Sequence, residues 1–375
     1  MIRTADSGLV LGVTWGTHDS SAALFVDGRL ASFVEEERLV GHKHSGSYPE
    51  QAIAAVLADV GATHADVKTV AFSFHARGYV RGLASATAHL VVRPWERRAW
   101  ARAGSYRVVH RHTRNRLRQL AAALPAATLV DVPHHRCHGL YAHAASGDEH
   151  VVVLTVDSIG EWHSTTLAEG HGTAHRIALG VRDPNSLGYA YGAVTEHLGY
   201  RRGDEEGTVM ALAALGDPAR FQAVFAEAIT LTDDGFRLDP RLFAPRVFSS
   251  AWERLTERFA SVTVPRRDPE APLEAVHADL AAALQQRIEE ALLHLAEIAA
   301  DRIGAPTLCL SGGVAMNCLA AARLSASGYF ARTFVPPAPG DSGTSNRSRL
   351  SRARRRCCPR RPSRSLGPRP SVLIG

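Results

Sequence analysis

The sequence predicts an α/β fold of two lobes that share one plan, and three observations carry that prediction. First, Leu9–Val26 and Val151–Leu167 both read as strand, short polar loop, strand, in apolar runs rich in β-branched residues. They lie about 140 residues apart, a spacing that suggests internal duplication. Second, both loops, Gly16-Thr17-His18-Asp19-Ser20 and Asp157-Ser158-Ile159-Gly160, are built from small and polar residues. Such loops let backbone amides approach an anion. Third, the strand Thr307–Leu310 runs through Ser311-Gly312-Gly313 into a helix expected over Val314–Leu324. Free amides and the macrodipole at a helix start favour an anion or a ribose.

Two strand–loop–strand units with facing phosphate loops are the arrangement of duplicated actin/hexokinase-like (ribonuclease H-like) folds. The reading therefore divides the chain into a first lobe (1–130), a second lobe with a metal and nucleotide site (131–343), and a basic low-complexity tail (344–375). The tail distorts the bulk charge. Ten arginines and no acidic residue fall in it, so the first 343 residues carry −4 against +6 for the whole chain. Nucleic-acid binding inferred from the pI would rest on the tail alone, and no nucleic-acid partner is expected. The chain holds only two lysines, Lys43 and Lys68, among many arginines and alanines, the mark of GC-rich coding DNA. The run of Arg, Pro and Ser after Gly343 has the composition of such DNA read out of frame, and its alternative is a genuine basic tail for an anionic partner. No apolar run is long enough to span a membrane, no signal peptide is evident, and the five cysteines form no disulfide framework, so a cytoplasmic protein is expected.

In chain order, Asp27-Gly28 marks a hairpin turn after the second strand, and Leu30–Val34 extends the meander. Pro49 opens a helix running to Val60, and Val67–Phe74 is a further strand. Arg77–Arg118 holds eleven arginines and one acid, Glu96, and reads as a solvated helical insertion. Thr128–Val132 is a strand leading into His134-His135-Arg136-Cys137-His138. Asn185–Leu198 is helical, Leu231–Ala271 an irregular surface excursion, and Pro272–Ile303 a long amphipathic helix with apolar residues at spacings of three and four. Thr333–Val335 is the last strand, followed by Gly340-Asp341-Ser342-Gly343.

The chemistry gathers around the histidine run. His134 and His138 are four apart, so on a helix they share a face and reach one ion. Asp157 ends a buried apolar strand and needs a charge partner there. Asp341, in its Gly-Asp-Ser-Gly loop, is available as a fourth ligand. Two imidazoles and two carboxylates suit Fe(II), Mn(II) or Zn(II) better than Mg(II). The intervening His135-Arg136-Cys137 offers no Glu base next to His134, which excludes the HExxH protease pattern. His18-Asp19 in the first loop and Lys43 in the next are candidates for binding an anionic acyl donor. Cys137, Cys309 and Cys318 sit in packing contexts, and none is assigned as a nucleophile.

These motifs, taken together, resemble the carbamoyltransferase family of the nodulation/cephamycin type. The likeness rests on Gly16–Ala23, Glu35-Glu36-Glu37-Arg38, Lys43-His44, His134–His138, Asp157–Trp162, Glu206–Ala213, Ser311–Cys318 and Pro339–Gly343, in family order. It implies an ATP-dependent O-carbamoyltransferase that uses carbamoyl phosphate to form carbamoyladenylate. The carbamoyl group then passes to a hydroxyl of a small-molecule acceptor, a sugar or an antibiotic-type metabolite. The N-terminal domain of that family is similar to the tRNA threonylcarbamoyl-transfer fold and holds iron. The resemblance places the metal, Fe(II) or another divalent ion, on His134, His138, Asp157 and Asp341. It places carbamoyl and phosphate contacts on His18 and Lys43, and nucleotide contacts on Gly160, Glu161, Gly312, Gly313 and Asn317. Thr208 and Ala211 replace a Lys and a Gly of the family pattern, and Ser158 replaces a loop Gly. The likeness ends at Gly343, where the family continues into a helix and a further domain. Two alternatives follow: a truncated remnant that only binds nucleotide, and a sugar kinase on the same fold, for which the histidine pair has no use.

Overall fold

In a computed structural model, residues 8–346 are described; the tail beyond Asn346 lies outside them. The first sheet comprises β1 (Leu9–Thr14), β2 (Ser21–Val26), β3 (Arg29–Glu35), β4 (Val67–Phe72) and β5 (Thr128–Asp131). Its spatial order is β3-β2-β1-β4-β5. The first three strands are antiparallel neighbours, and β4 and β5 run parallel to β1. The second sheet takes β6 (His150–Val156), β7 (His163–His171) and β8 (Ala174–Arg182). After a separate hairpin, β9 (Ile229–Thr232) and β10 (Gly235–Leu238), it adds β11 (Thr307–Ser311) and β12 (Arg332–Phe334). Read from the other edge its order is β8-β7-β6-β11-β12, with antiparallel and parallel neighbours in the same places. The duplication expected from the two strand–loop–strand units is thus present strand for strand, and the architecture is the two-lobed actin/hexokinase-like one.

Local chemistry explains the elements. Asp27 (φ 52°) and Gly28 (φ 75°) form the two-residue turn of a tight hairpin, as the Asp-Gly pair predicts. β6 is an unbroken buried run from Val151 to Val156, because one face packs on helix His134–Ser146 and the other on the long helix Ala275–Ile303. That long helix buries Leu280, Leu284, Ile288, Leu292 and Leu295 along one side, each burial contributing about 1.5–3 kcal/mol. It begins three residues later than the periodicity suggests, so Leu273 falls before it and is 47% exposed. Its end at Gly304, φ 66°, matches the expected stop.

Four expectations need correction. The arginine-rich segment is two helices, Gly78–Val92 and Arg97–Ala123. It is not simply solvated, since Arg102 and Tyr106 are buried against the second lobe. The stretch 231–271 is not a surface excursion. Phe236, Leu242, Phe243, Leu255 and Phe259 join the larger hydrophobic core, where prolines interrupt any periodicity that would have announced burial. The helix expected over 314–324 divides into a 3-10 turn, Gly313–Met316, and a helix, Cys318–Ala326. Asn317 stops the first and caps the second, its side chain accepting from Ala320 N. Finally, residues 344–346, assigned to the tail, are buried and follow Asp341 in a short 3-10 helix. Gly12 of β1 lies so close to the Ser345 carbonyl that a Cβ there would collide with it. No helix among the described residues is long and apolar enough to cross a membrane.

Candidate metal centre

The duplication positions the site. The segment after β5 and the segment after β12 are equivalent in the two halves, and they meet at the centre of the molecule. Helix His134–Ser146 follows β5, and the 3-10 helix Asp341–Ser345 follows β12. Gly343 lets them touch, for a Cβ there would strike Tyr141 and the Ala338 carbonyl. Asp157 arrives from the end of β6. All four predicted ligands, His134, His138, Asp157 and Asp341, are buried, and their donor atoms lie within 4.8 Å of one another.

The separations are those of a coordination sphere. His134 Nε2 stands 3.2 Å from Asp157 Oδ2 and 3.2 Å from Asp341 Oδ1. His138 Nε2 stands 3.4 and 3.6 Å from the same oxygens, and the two Nε2 atoms are 3.1 Å apart. A four-coordinate cation with bonds of about 2.0–2.2 Å sets its donors about 3.3–3.6 Å apart. The surroundings fix each donor. His134 Nδ1 lies 3.3 Å from the Ser73 carbonyl, which can only accept, so the proton sits on Nδ1 and the Nε2 lone pair faces the cluster. Phe74 stacks on the same imidazole, centroids 4.4 Å apart and planes 8° from parallel. His138 Nδ1 is 3.4 Å from the Ser311 hydroxyl. Asp157 Oδ1 accepts from Ser158 N at 2.6 Å, and Asp341 Oδ2 accepts from Thr17 Oγ1 at 2.8 Å.

Electrostatics agrees with a cationic occupant. Burial alone would raise both carboxyl groups. For Asp341 the His134 imidazole, and for Asp157 hydrogen bonds to His134 and His138, outweigh that effect and hold them well below the usual carboxylate range. His134 is pulled upward by the same carboxylates against its own burial. Two buried carboxylates need a balancing positive charge, and a divalent ion bound by neutral imidazoles supplies it. The residues present fit a metal.

The first loop stands at the edge of this cluster. Asp19 takes His18 Nδ1 at 2.7 Å on one oxygen and His44 Nδ1 at 2.6 Å on the other. Asp19 and His44 both hold positive φ, 58° and 55°, conformations that non-glycine residues adopt at some cost. Burial would lower the His18 pKa, but the hydrogen bond that His18 donates to Asp19 and the charges of Asp341, Asp19 and Asp157 raise it to about 9. Neutralising Asp341 and Asp157 withdraws part of that support and returns His18 toward its base form. Lys43 reaches across to the second lobe, paired with Asp204, which His44 also contacts through Nε2 at 3.2 Å. It is next to the His18 loop but not part of the four-residue cluster.

Of the residues expected to touch nucleotide, three are brought to the cluster as backbone. Gly313 lies beside Asp157, a Cβ there falling 3.2 Å from Oδ1, and Gly312 (φ 92°) has no room for a Cβ against Val156. Gly160 packs against His135 and His134. The other two have side chains engaged in holding the frame. Glu161 is buried and accepts from His75 N at 2.7 Å and His134 N at 3.0 Å, fixing the start of the ligand helix. Asn317 exchanges two hydrogen bonds with Gln285, 2.8 and 3.0 Å. The sequence marked Asp19 beside His18 as a candidate for the donor but did not announce its second contact, to His44. Thr17, Ser73 and Ser311 gave no signal, because they act through backbone or hydroxyl contacts set by tertiary packing.

A family model described as carbamoyltransferase N-terminus matches residues 9–346. Among curated relatives, the uncharacterized protein sll1178 of Synechocystis is 31% identical over 343 residues, 89% of this chain and 55% of its own length. Nodulation protein NolNO of Sinorhizobium fredii is 30% identical over 329 residues, 87% of this chain and 45% of its own. The chain therefore spans about half the length of the curated relatives it matches. Among solved structures, component A of the (R)-2-hydroxyglutaryl-CoA dehydratase of Acidaminococcus fermentans is similar, with a TM-score of 0.44 at 14% identity, over 92% of this chain and 97% of that one.

Proposed function

This chain belongs to the carbamoyltransferase N-terminus family, and we propose that it carries out the transfer step of an O-carbamoyltransferase. Carbamoyladenylate, formed from carbamoyl phosphate and ATP, would give its carbamoyl group to a hydroxyl of a sugar or secondary metabolite. The observation that carries this reading is the convergence of His134, His138, Asp157 and Asp341, with imidazole lone pairs turned inward, beside the His18 loop. We assign the four side chains to a divalent metal, Fe(II) in this reading. When bound, the metal supplies Lewis-acid polarisation of an oxygen at the reacting carbonyl.

The chain's own groups do the rest. Asp19 accepts the Nδ1 proton of His18, leaving Nε2 as the basic atom that takes the proton of the acceptor hydroxyl. The acceptor oxygen bonds to the carbamoyl carbon, the bond from that carbon to the phosphate oxygen breaks, and AMP leaves with the electron pair. The backbone amide of Gly313, and the small residues at Gly312 and Gly160, allow the anionic donor to lie close to the cluster. Lys43, on its flexible stem, would exchange Asp204 for the donor phosphate.

The test supplies synthetic carbamoyladenylate, Fe(II) and a panel of sugar acceptors to the purified chain. The expected products are an O-carbamate and AMP, with loss of product on chelation. Formation of ADP and a sugar phosphate from ATP would assign a kinase instead, and AMP binding without transfer would leave only nucleotide binding.

A further inference from the structure

We infer that Arg81 and Arg182, converging on Trp162, form a phosphate-binding subsite for the carbamoyl acceptor, which makes that acceptor a phosphate ester such as a sugar phosphate. The inference rests on the reading of the four-residue cluster and the His18 loop as a carbamoyl-transfer site, and gives its acceptor a chemical class.

Trp162 is half-buried in the loop that begins at Asp157. Its indole is approached by two guanidiniums from opposite halves of the molecule. Arg182, at the end of β8, has Cζ 4.5 Å from the ring centroid, and Arg81, on helix Gly78–Val92, has Cζ at 5.8 Å. Both arginines are exposed, and neither has a carboxylate partner among the described residues. The nearest acids along the chain are committed elsewhere. Glu161 is turned inward onto His75 N and His134 N, and Asp183 is buried between Arg102 and Arg246. Arg77, exposed and four residues before Arg81, falls on the same side of that helix. His163 registers the uncompensated charge. Its own burial and then the charges of Arg182 and Arg81 lower its pKa to about 4, so it sits neutral beside them.

Stacking on the indole orients the two guanidiniums, but leaves both charges unbalanced. A planar fork of donors held by an aromatic face is the arrangement that meets a phosphate with paired hydrogen bonds. One lobe supplies each arginine, so an anion bound there bridges the two halves beside the loop that begins at Asp157.

A phosphate could also come from the donor, and the experiment separates the two. Binding of glucose 1-phosphate, carbamoyl phosphate and AMP is followed by tryptophan fluorescence and calorimetry at near-physiological salt, where weak surface attraction is screened. Wild-type protein is expected to bind glucose 1-phosphate with a fluorescence change that Trp162→Phe abolishes. The double variant Arg81→Gln/Arg182→Gln should weaken that binding by about tenfold or more, with unchanged melting temperature, metal content and affinity for AMP and carbamoyl phosphate. Absence of glucose 1-phosphate binding, or equal binding by the variant, overturns the subsite. A parallel loss of AMP or carbamoyl phosphate binding assigns the arginines to the donor and overturns their role toward the acceptor. Failure of the transfer reading shows itself separately, as no carbamate from carbamoyladenylate while phosphate binding persists.

Discussion

His138→Ala is expected to lower metal retention by more than about 100-fold and to remove the proposed carbamoyl transfer. Changes to the groups that merely orient a ligand typically cost about 10–100-fold, and the proposed role of His138 is to contribute a donor atom directly. Its Nε2 faces both carboxylate oxygens and His134 Nε2 at 3.1–3.6 Å, and its side chain is wholly buried. With alanine there, Asp157 and Asp341 face one imidazole and an apolar gap. The control lies next door on the same helix. His135 points its Nδ1 to Thr166 Oγ1 at 3.3 Å and away from the cluster, so His135→Ala should retain the metal. Metal content by mass spectrometry after gel filtration, with carbamate formation measured on the same samples, reads both outcomes. Equal metal content in wild type and His138→Ala would refute the ligand assignment.

Asp183→Ala is expected to destabilise the protein by about 3–5 kcal/mol, the cost of breaking a buried charge pair from one side. Asp183 is buried in the turn after β8. One oxygen accepts from Arg246 Nε at 3.1 Å; the other takes Tyr106 Oη at 2.9 Å and the guanidinium of Arg102. Arg102 and Tyr106 belong to the helical insertion of the first lobe, so this cluster clasps the two halves together. Arg246 goes on to donate to the Ser158 carbonyl at 2.7 Å and its hydroxyl at 3.2 Å, holding the residue that follows a proposed metal ligand. Removing the carboxylate leaves two buried guanidiniums without a counter-charge. Asp183→Asn, which keeps an acceptor, should cost less. Chemical denaturation of the three proteins checks the order, and a loss below about 1 kcal/mol for Asp183→Ala would mean that the cluster is solvated.

Much of this was legible in the sequence, and the reasons divide by physics. Repeated apolar runs with polar loops announced the duplicated halves, because strand burial and turn chemistry are local. His134 and His138 were readable since a four-residue spacing fixes a helix face, and Asp157 since a carboxylate ending an apolar run needs a partner. Asp341 was placed beside them by its loop and by family likeness, and the equivalence of the segments after β5 and β12 shows why it belongs there. What stayed hidden depends on contacts distant in the chain. Nothing local says that Glu161 turns inward to hold the start of helix His134–Ser146, or that Asp183 binds arginines 81 and 63 residues away. The burial of 231–271 was equally silent, since irregular backbone carries no period to read. Residues 344–346 looked like the start of a compositionally odd tail, yet their contacts with Gly12 and Ser21 complete the segment that presents Asp341.

The most direct measurement is an anomalous difference map of the Fe(II)-loaded protein, collected on both sides of the iron absorption edge. A single peak enclosed by His134 Nε2, His138 Nε2, Asp157 and Asp341 is the expected result. No peak there, or a peak confined to the other cluster of suitable donors at His18, Asp19 and His44, would contradict it.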